Sequence, residues 1–163
     1  MILRKLLLTN ILLAGIAASI PVQAHEIASN TESQIAVVPA EEKKRAQELM
    51  ANGPKKTSGI GGVTVVGTVS LDGEFESSDG LTMRVRELII NPGGLVAVHE
   101  HNNRPGVAYI LKGEMTEHRS SVEKPIVKTA GTTAMERSGV VHWWENTGSE
   151  PAHALVVDII PQK

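Results

Sequence analysis

The sequence has no cysteine among its 163 residues. That absence excludes a disulfide scaffold, a thiolate metal site and a cysteine nucleophile. Aromatic residues are almost as scarce: two Trp, one Tyr and one Phe, 2% of the chain. A core must therefore be assembled from Val, Ile, Leu, Ala and Met. Charge of one sign is also lacking, since 16 basic and 18 acidic residues leave a net charge of −2. A nucleic-acid binder would carry a basic excess, so that class is set aside. No Rossmann glycine pattern and no phosphate-cradling loop is present, which leaves nicotinamide chemistry unsupported. The remaining mix, 41% apolar and 21% charged, is that of an ordinary globular chain.

The N-terminus reads as an export signal. Arg4 and Lys5 precede a mostly apolar run from Leu6 to Ile20, and Val22-Gln23-Ala24 offers small residues at the −3 and −1 positions of a cleavage site. The run is short of the ~20 residues of a comfortable membrane span, and no later segment could span a membrane. Removing Arg4 and Lys5 with this segment takes the net charge from −2 to −4. The expected division is a signal peptide at 1–24, an N-terminal extension with a short helix at 25–60, and a β domain at 61–163. The expected compartment is periplasmic or extracellular, with no membrane attachment after cleavage.

Within the extension, Ala40 to Ala51 reads as a helix. Glu41 and Glu42 lie in its first turn, Ala46, Leu49 and Met50 form a narrow apolar stripe, and Gly53-Pro54 stops it. From Gly61 onward the character changes to short β-branched segments separated by turn signals. These are Val63 to Ser70, Leu81 to Ile90, Leu95 to His101, Gly106 to Lys112, Glu114 to Ser120, Pro125 to Lys128, Thr132 to Glu136, Val140 to Glu145 and Ala152 to Ile160. Asn91-Pro92-Gly93-Gly94 is a turn signal between the second and third. Many short strands with no helical period between them predict an all-β sandwich or barrel.

Three histidines carry the chemistry. His99 and His101 alternate with Glu100 on one predicted strand and so share a face. His142 lies on another, with Trp144 on its face. Three imidazoles brought together would hold a divalent first-row metal. On the predicted strand Glu114 to Ser120 only one of Glu117 and His118 can face inward. The parity of Met115 favours Glu117, with Arg119 beside it, either as a further ligand or as a salt bridge. The parity of His153 with Leu155, Val157 and Ile159 places it on the core side as a packed residue. Tyr109 should face away from the histidines.

These residues resemble the two motifs of the cupins. Gly93-x5-His99-x-His101-x4-Gly106-x6-Gly113 matches the spacing of the first. Gly131-x5-Arg137-x-Gly139-x2-His142-x3-Asn146 matches the second, seventeen residues later. The resemblance covers residues 61 to 163 and implies a jelly-roll β-barrel with a metal site inside its mouth. Two departures stand out. Gly106, in Arg104-Pro105-Gly106, replaces the usual metal-binding Glu and reads either as a turn residue or as an opening beside the metal. Arg137 replaces the usual Pro, in a turn where it should matter little.

The resemblance implies metal ligation by His99, His101 and His142, with iron, manganese, nickel or zinc as the ion. Such a centre favours an anionic, chelating oxygen ligand. Two functions follow from it, a small metalloenzyme of the dioxygenase or isomerase type and a non-enzymatic ligand- or metal-binding sensor. Cupin barrels commonly pair through an edge strand, so a homodimer is expected. The signal peptide gives the first test: N-terminal sequencing of exported protein should read from His25, and an intact Met1 on the soluble protein would contradict it.

Overall fold

The computed structural model describes residues 38–162, so the expected signal peptide and the leader up to residue 37 lie outside the described residues. Helix α1 runs Ala40–Asn52. Its first turn carries Glu41 and Glu42 at the positive end of the helix dipole. It stops where Gly53 turns to extended backbone and its N–H bonds back to Leu49 O at 2.7 Å. No helix among the described residues is long and apolar enough to cross a membrane.

The docked face of α1 differs from the expected stripe. Met50 is exposed, Ala46 and Leu49 are half-buried, and the one buried residue is Glu42. Arg137 Nη2 donates to both Glu42 oxygens, at 3.0 and 2.9 Å, and Arg45 Nε donates to Ser120 O at 2.7 Å. The surface under the helix offers a guanidinium and a carbonyl, so a polar face docks there. Arg137, expected to be inconsequential in its turn, is half of the clamp that holds α1 to the barrel.

Eight strands follow: β1 Ser58–Ser70, β2 Leu81–Glu100, β3 Gly106–Lys112, β4 Glu114–Arg119, β5 Ile126–Thr129, β6 Thr133–Glu136, β7 Val141–Glu145 and β8 Ala152–Pro161. They hydrogen-bond in the order β5-β4-β7-β2-β8-β3-β6, with β1 also on β2, and every pairing is antiparallel. The fold is an all-β jelly-roll barrel with one short helix, as the sequence predicts.

The segments expected on either side of Asn91–Gly94 are one strand of 20 residues. Residues 81–90 of β2 pair with β8, and residues 95–100 pair with β7. The turn signal is where β2 passes from its pairing with β8 to its pairing with β7. Against β1 the register jumps from Ile60↔Ile90 to Ser58↔Leu95, so residues 91–94 bulge out at the corner. Gly93 there has φ 72°, and Gly94 has no side chain because Gly59 O lies 2.6 Å from where its Cβ would be. Asn146 pins the corner: its Nδ2 donates to Ile90 O at 2.8 Å and to Glu150 O at 2.7 Å.

The core gathers Ile90, Ala108, Ile110, Met115, Ala134, Trp144, Ala152, Ala154 and Val156. On β8 the buried positions are Ala152, Ala154, Val156 and Asp158, the parity opposite to the one expected. His153 therefore faces outward, its Nδ1 3.1 Å from Glu87 Oε1. The larger side chains suggested the wrong face because small residues, Ala108 and Ala154 among them, line the space inside the barrel. Ala108 lies opposite both Ala134 and Val156 across β6-β3-β8, and Leu155, Val157 and Ile159 lie on the outer face of β8.

Arg137→Ala strands the Glu42 carboxylate, which is 3% exposed. Breaking one side of such a pair costs about 3 kcal/mol. The double variant Glu42→Ala/Arg137→Ala should lose less than the single one. Denaturant unfolding measures both, and hydrogen exchange should place the loss in α1. Equal stability of wild type and Arg137→Ala would refute the clamp.

Candidate metal centre

β2 and β7 run side by side with His99 directly opposite His142. His101 lies one residue beyond the end of β2, on the same face as His99, and its N–H bonds to Val140 O. The three imidazoles therefore meet at one end of the barrel. His142 Nε2 lies 2.9 Å from His101 Nε2 and 3.1 Å from His99 Nε2. The expected trio is assembled, and its ligand atoms all lie within 4.8 Å of one another.

The other ring nitrogens decide what these contacts are. His99 Nδ1 donates to Ala97 O at 2.9 Å, His101 Nδ1 to Arg104 O at 3.1 Å, and His142 Nδ1 to Glu117 Oε1 at 2.8 Å. A carbonyl only accepts, and the carboxylate here accepts too, so each ring proton belongs on Nδ1. Each Nε2 then points a bare lone pair at the same spot, with no proton left to share. Cations resolve such a convergence, and outer partners of this kind orient metal-bound imidazoles. The spacing of 2.9–3.1 Å also fits adjacent ligands each ~2.0–2.1 Å from one ion. The site can hold a metal ion.

Burial keeps the rings neutral. His101 is pushed down to about 3, by burial first and then by the neighbouring His142. Burial also lowers His99, and takes His142 well below its ordinary value. Acid competition with a metal therefore begins below the ~6.5 of a free imidazole.

Two buried carboxylates face the trio. Glu117 points inward, as expected, and is fully buried. It grips the back of His142 while Arg119 Nη1 stands 3.4 Å away, so it positions a ring and does not reach the lone pairs. His118 faces the other way, stacked on Trp143 at 3.7 Å and bonded to Glu145. The second carboxylate, Glu136 on β6, escaped the sequence reading. Its Oε1 lies 3.9 Å from His142 Nε2 and its Oε2 3.5 Å from His101 Nδ1. Oε2 is buried with no hydrogen-bond partner. Burial raises Glu136 to about 7 and raises Glu117 as well.

Gly106 is neither a turn residue nor an open position. The turn is at 101–104, where Arg104 N bonds to His101 O, and Gly106 begins β3 between Glu136 and Asp158. A Cβ there would lie 2.7 Å from Val157 O and 3.2 Å from Glu136 Oε2. A Glu at 106 would thus strike backbone before reaching the histidines.

A cavity of about 330 Å³ adjoins the trio, lined by apolar side chains such as Met115, Trp144 and Val156, with Arg86, Arg104 and Glu136 among its polar groups. Arg86 shares the fully buried Asp158 with Arg84, at 3.0 and 2.8 Å. Arg104 stands 3.8 Å from the same carboxylate. Burial alone would raise Asp158, but the Arg84 hydrogen bonds and the surrounding guanidinium charges hold it below its usual range. Three cations around one carboxylate give this wall a positive excess. Tyr109 is on the outer surface, as expected.

The sequence profile of the cupin domain matches residues 86–158, the stretch holding all three histidines and both carboxylates. The barrel is a cupin domain. An oxalate-binding protein of Thermotoga maritima is 36% identical over 69 residues, covering 42% of this chain and 55% of its own. The chain thus spans about half the length of that curated relative. Solved structures with a similar cupin barrel include a predicted oxalate decarboxylase from Thermotoga maritima, 24% identical over 68% of this chain and 95% of that one, TM-score 0.48. KdgF from Halomonas sp. is 12% identical over 66% and 87%, TM-score 0.49.

The buried imidazoles fix an acid response for the metal-free protein. Below ~6.5 the unfolded chain takes up protons that the folded trio refuses, so stability falls with pH. Glu136, raised to about 7 by burial, and Glu117, also raised by burial, act in the opposite sense. Three imidazoles outweigh two carboxylates. Between pH 6.5 and 5 the net loss should be about 1–2 kcal/mol per pH unit. Urea unfolding with chelator at several pH values measures this, and rising stability on acidification would contradict it.

Proposed function

We propose that this chain is an exported cupin that holds one divalent first-row ion on the Nε2 atoms of His99, His101 and His142. The ion would present a small, anionic, chelating oxygen ligand of the dicarboxylate kind to the cavity. The observation that carries the metal is the convergence of three lone pairs whose ring protons are committed to Ala97 O, Arg104 O and Glu117. Iron, manganese, nickel and zinc all suit imidazole donors. Bound there, the ion supplies Lewis acidity and open positions for an oxygen ligand.

The anion is supported from the other side of the cavity. Arg86 and Arg104 contribute positive charge that Asp158 only partly offsets. A cavity of about 330 Å³ suits a ligand of few heavy atoms, with Met115, Trp144 and Val156 keeping its other walls dry. The oxalate-binding relative points to the same class. A metalloenzyme of the dioxygenase type is the second reading, favoured by the close spacing of the three nitrogens, which would leave neighbouring positions free for substrate and dioxygen.

The proposed assembly is a homodimer through β1. Among the described residues that strand is paired with β2 alone, and it exposes Val63, Val65, Val66 and Val69. Such an edge offers backbone and apolar surface to a second copy of itself.

Metal analysis of purified protein should find about one ion per chain, lost in the His99→Ala/His101→Ala/His142→Ala variant. Calorimetry of metal-loaded protein should show oxalate binding at least tenfold tighter than acetate, and no binding after chelation. Light scattering of the same sample should give a dimer mass. Oxalate binding that ignores the metal would refute the proposal, and oxygen uptake with diketones or aromatic diols would favour the enzymatic reading.

A further inference from the structure

We infer that Glu136 supplies the protein carboxylate of this centre, delivered from β6 beside Gly106. The inference rests on the three-histidine reading above and adds a fourth ligand to it.

Three observations carry it. Gly106 and Glu136 are direct cross-strand partners on β3 and β6. The Glu136 carboxylate lies 3.2 Å from the place a Gly106 Cβ would take, so a side chain at 106 would crowd a carboxylate from 136. The second observation is orientation. Glu136 Oε1 stands 3.9 Å from His142 Nε2, beside the converging lone pairs and across the trio from Glu117. A rotation of the side chain is required to bring that oxygen to a common ion. The third is an unmet need. Glu136 is 5% exposed and its Oε2 makes no hydrogen bond, although Arg86 and Arg104 line the same cavity. A buried carboxylate oxygen left without a partner is costly unless a cation or a ligand completes it. Glu117 does not compete for the role, because His142 Nδ1 and Arg119 already engage it.

The consequence for the centre is a hard oxygen donor among three imidazoles, which suits manganese or iron. An octahedral ion held by four protein groups keeps about two positions, the number a chelating oxyanion occupies, whereas three protein groups leave about three.

Water-proton relaxation of the Mn²⁺-loaded full chain counts the open positions directly. The wild type should hold about two exchanging waters, and Glu136→Ala about three. Glu136→Gln, nearly isosteric, should bind Mn²⁺ at least tenfold more weakly. About three waters in the wild type overturns the inference even if every variant misfolds. So does Mn²⁺ affinity in folded Glu136→Gln within twofold of wild type, or weaker binding in folded Glu136→Ala with an unchanged water count. His99→Ala/His142→Ala provides the separate control. If that variant keeps full Mn²⁺ affinity, the three-histidine reading itself fails and Glu136 falls with it.

Discussion

Strand β2 joins the two halves of the barrel's sheet, and most of the molecule depends on its passing between them unbroken. Its first half carries β1 and β8, and its second half carries β7. The corner at residues 91–94 needs Gly93 at positive φ, a bare Gly94 against Gly59, and the Asn146 side chain holding Ile90 O. With the corner in place, His99 falls opposite His142 and His101 follows on the same face. A slip of one residue past the corner would turn His99 and His101 outward. The glycines and the asparagine of the two motifs are thus the framework that aims the imidazoles.

The environment around the imidazoles works against itself when no cation is present. Three lone pairs converge, and the surroundings that keep them neutral also deny them a proton. Two carboxylates lie within a few ångströms, one spent on His142 and one with an oxygen unpaired. Each of these is unfavourable for the empty fold and favourable for a filled one. Sites that sacrifice local stability in this way are commonly functional.

Much of this was legible in the sequence, for a physical reason. Strand periodicity puts alternate residues on one face, so His99 with His101, and Glu117 with Arg119, could be read from parity. Motif spacing added His142 from a distant strand and gave the barrel. What escaped depends on pairings between strands far apart in the chain. Glu136 has no meaning until β6 lies against β3 at Gly106. Arg137 looks idle until Glu42 arrives from a helix 95 residues earlier. The inward face of β8 was misjudged because hydrophobicity alone cannot tell an inward face bearing Ala152 and Ala154 from an outer face bearing Leu155 and Val157. The corner of β2 was read as a break because Asn-Pro-Gly-Gly marks a change of direction, and a bulged strand changes direction without ending.

The clamp on α1 also bears on the order of folding. The helix reaches its partners at Ser120 and Arg137 across 75 and 95 residues of chain. Contacts of such separation close late, because the loop entropy is lost before any bond is gained. A chain that emerges from its N-terminus exposes α1 first, yet the carbonyl and guanidinium that receive it exist only when β4 and the loop before β7 are in place. The earliest helix of the described chain is therefore among the last elements to dock. Until then Glu42 remains in water, and the barrel must close without the helix's help.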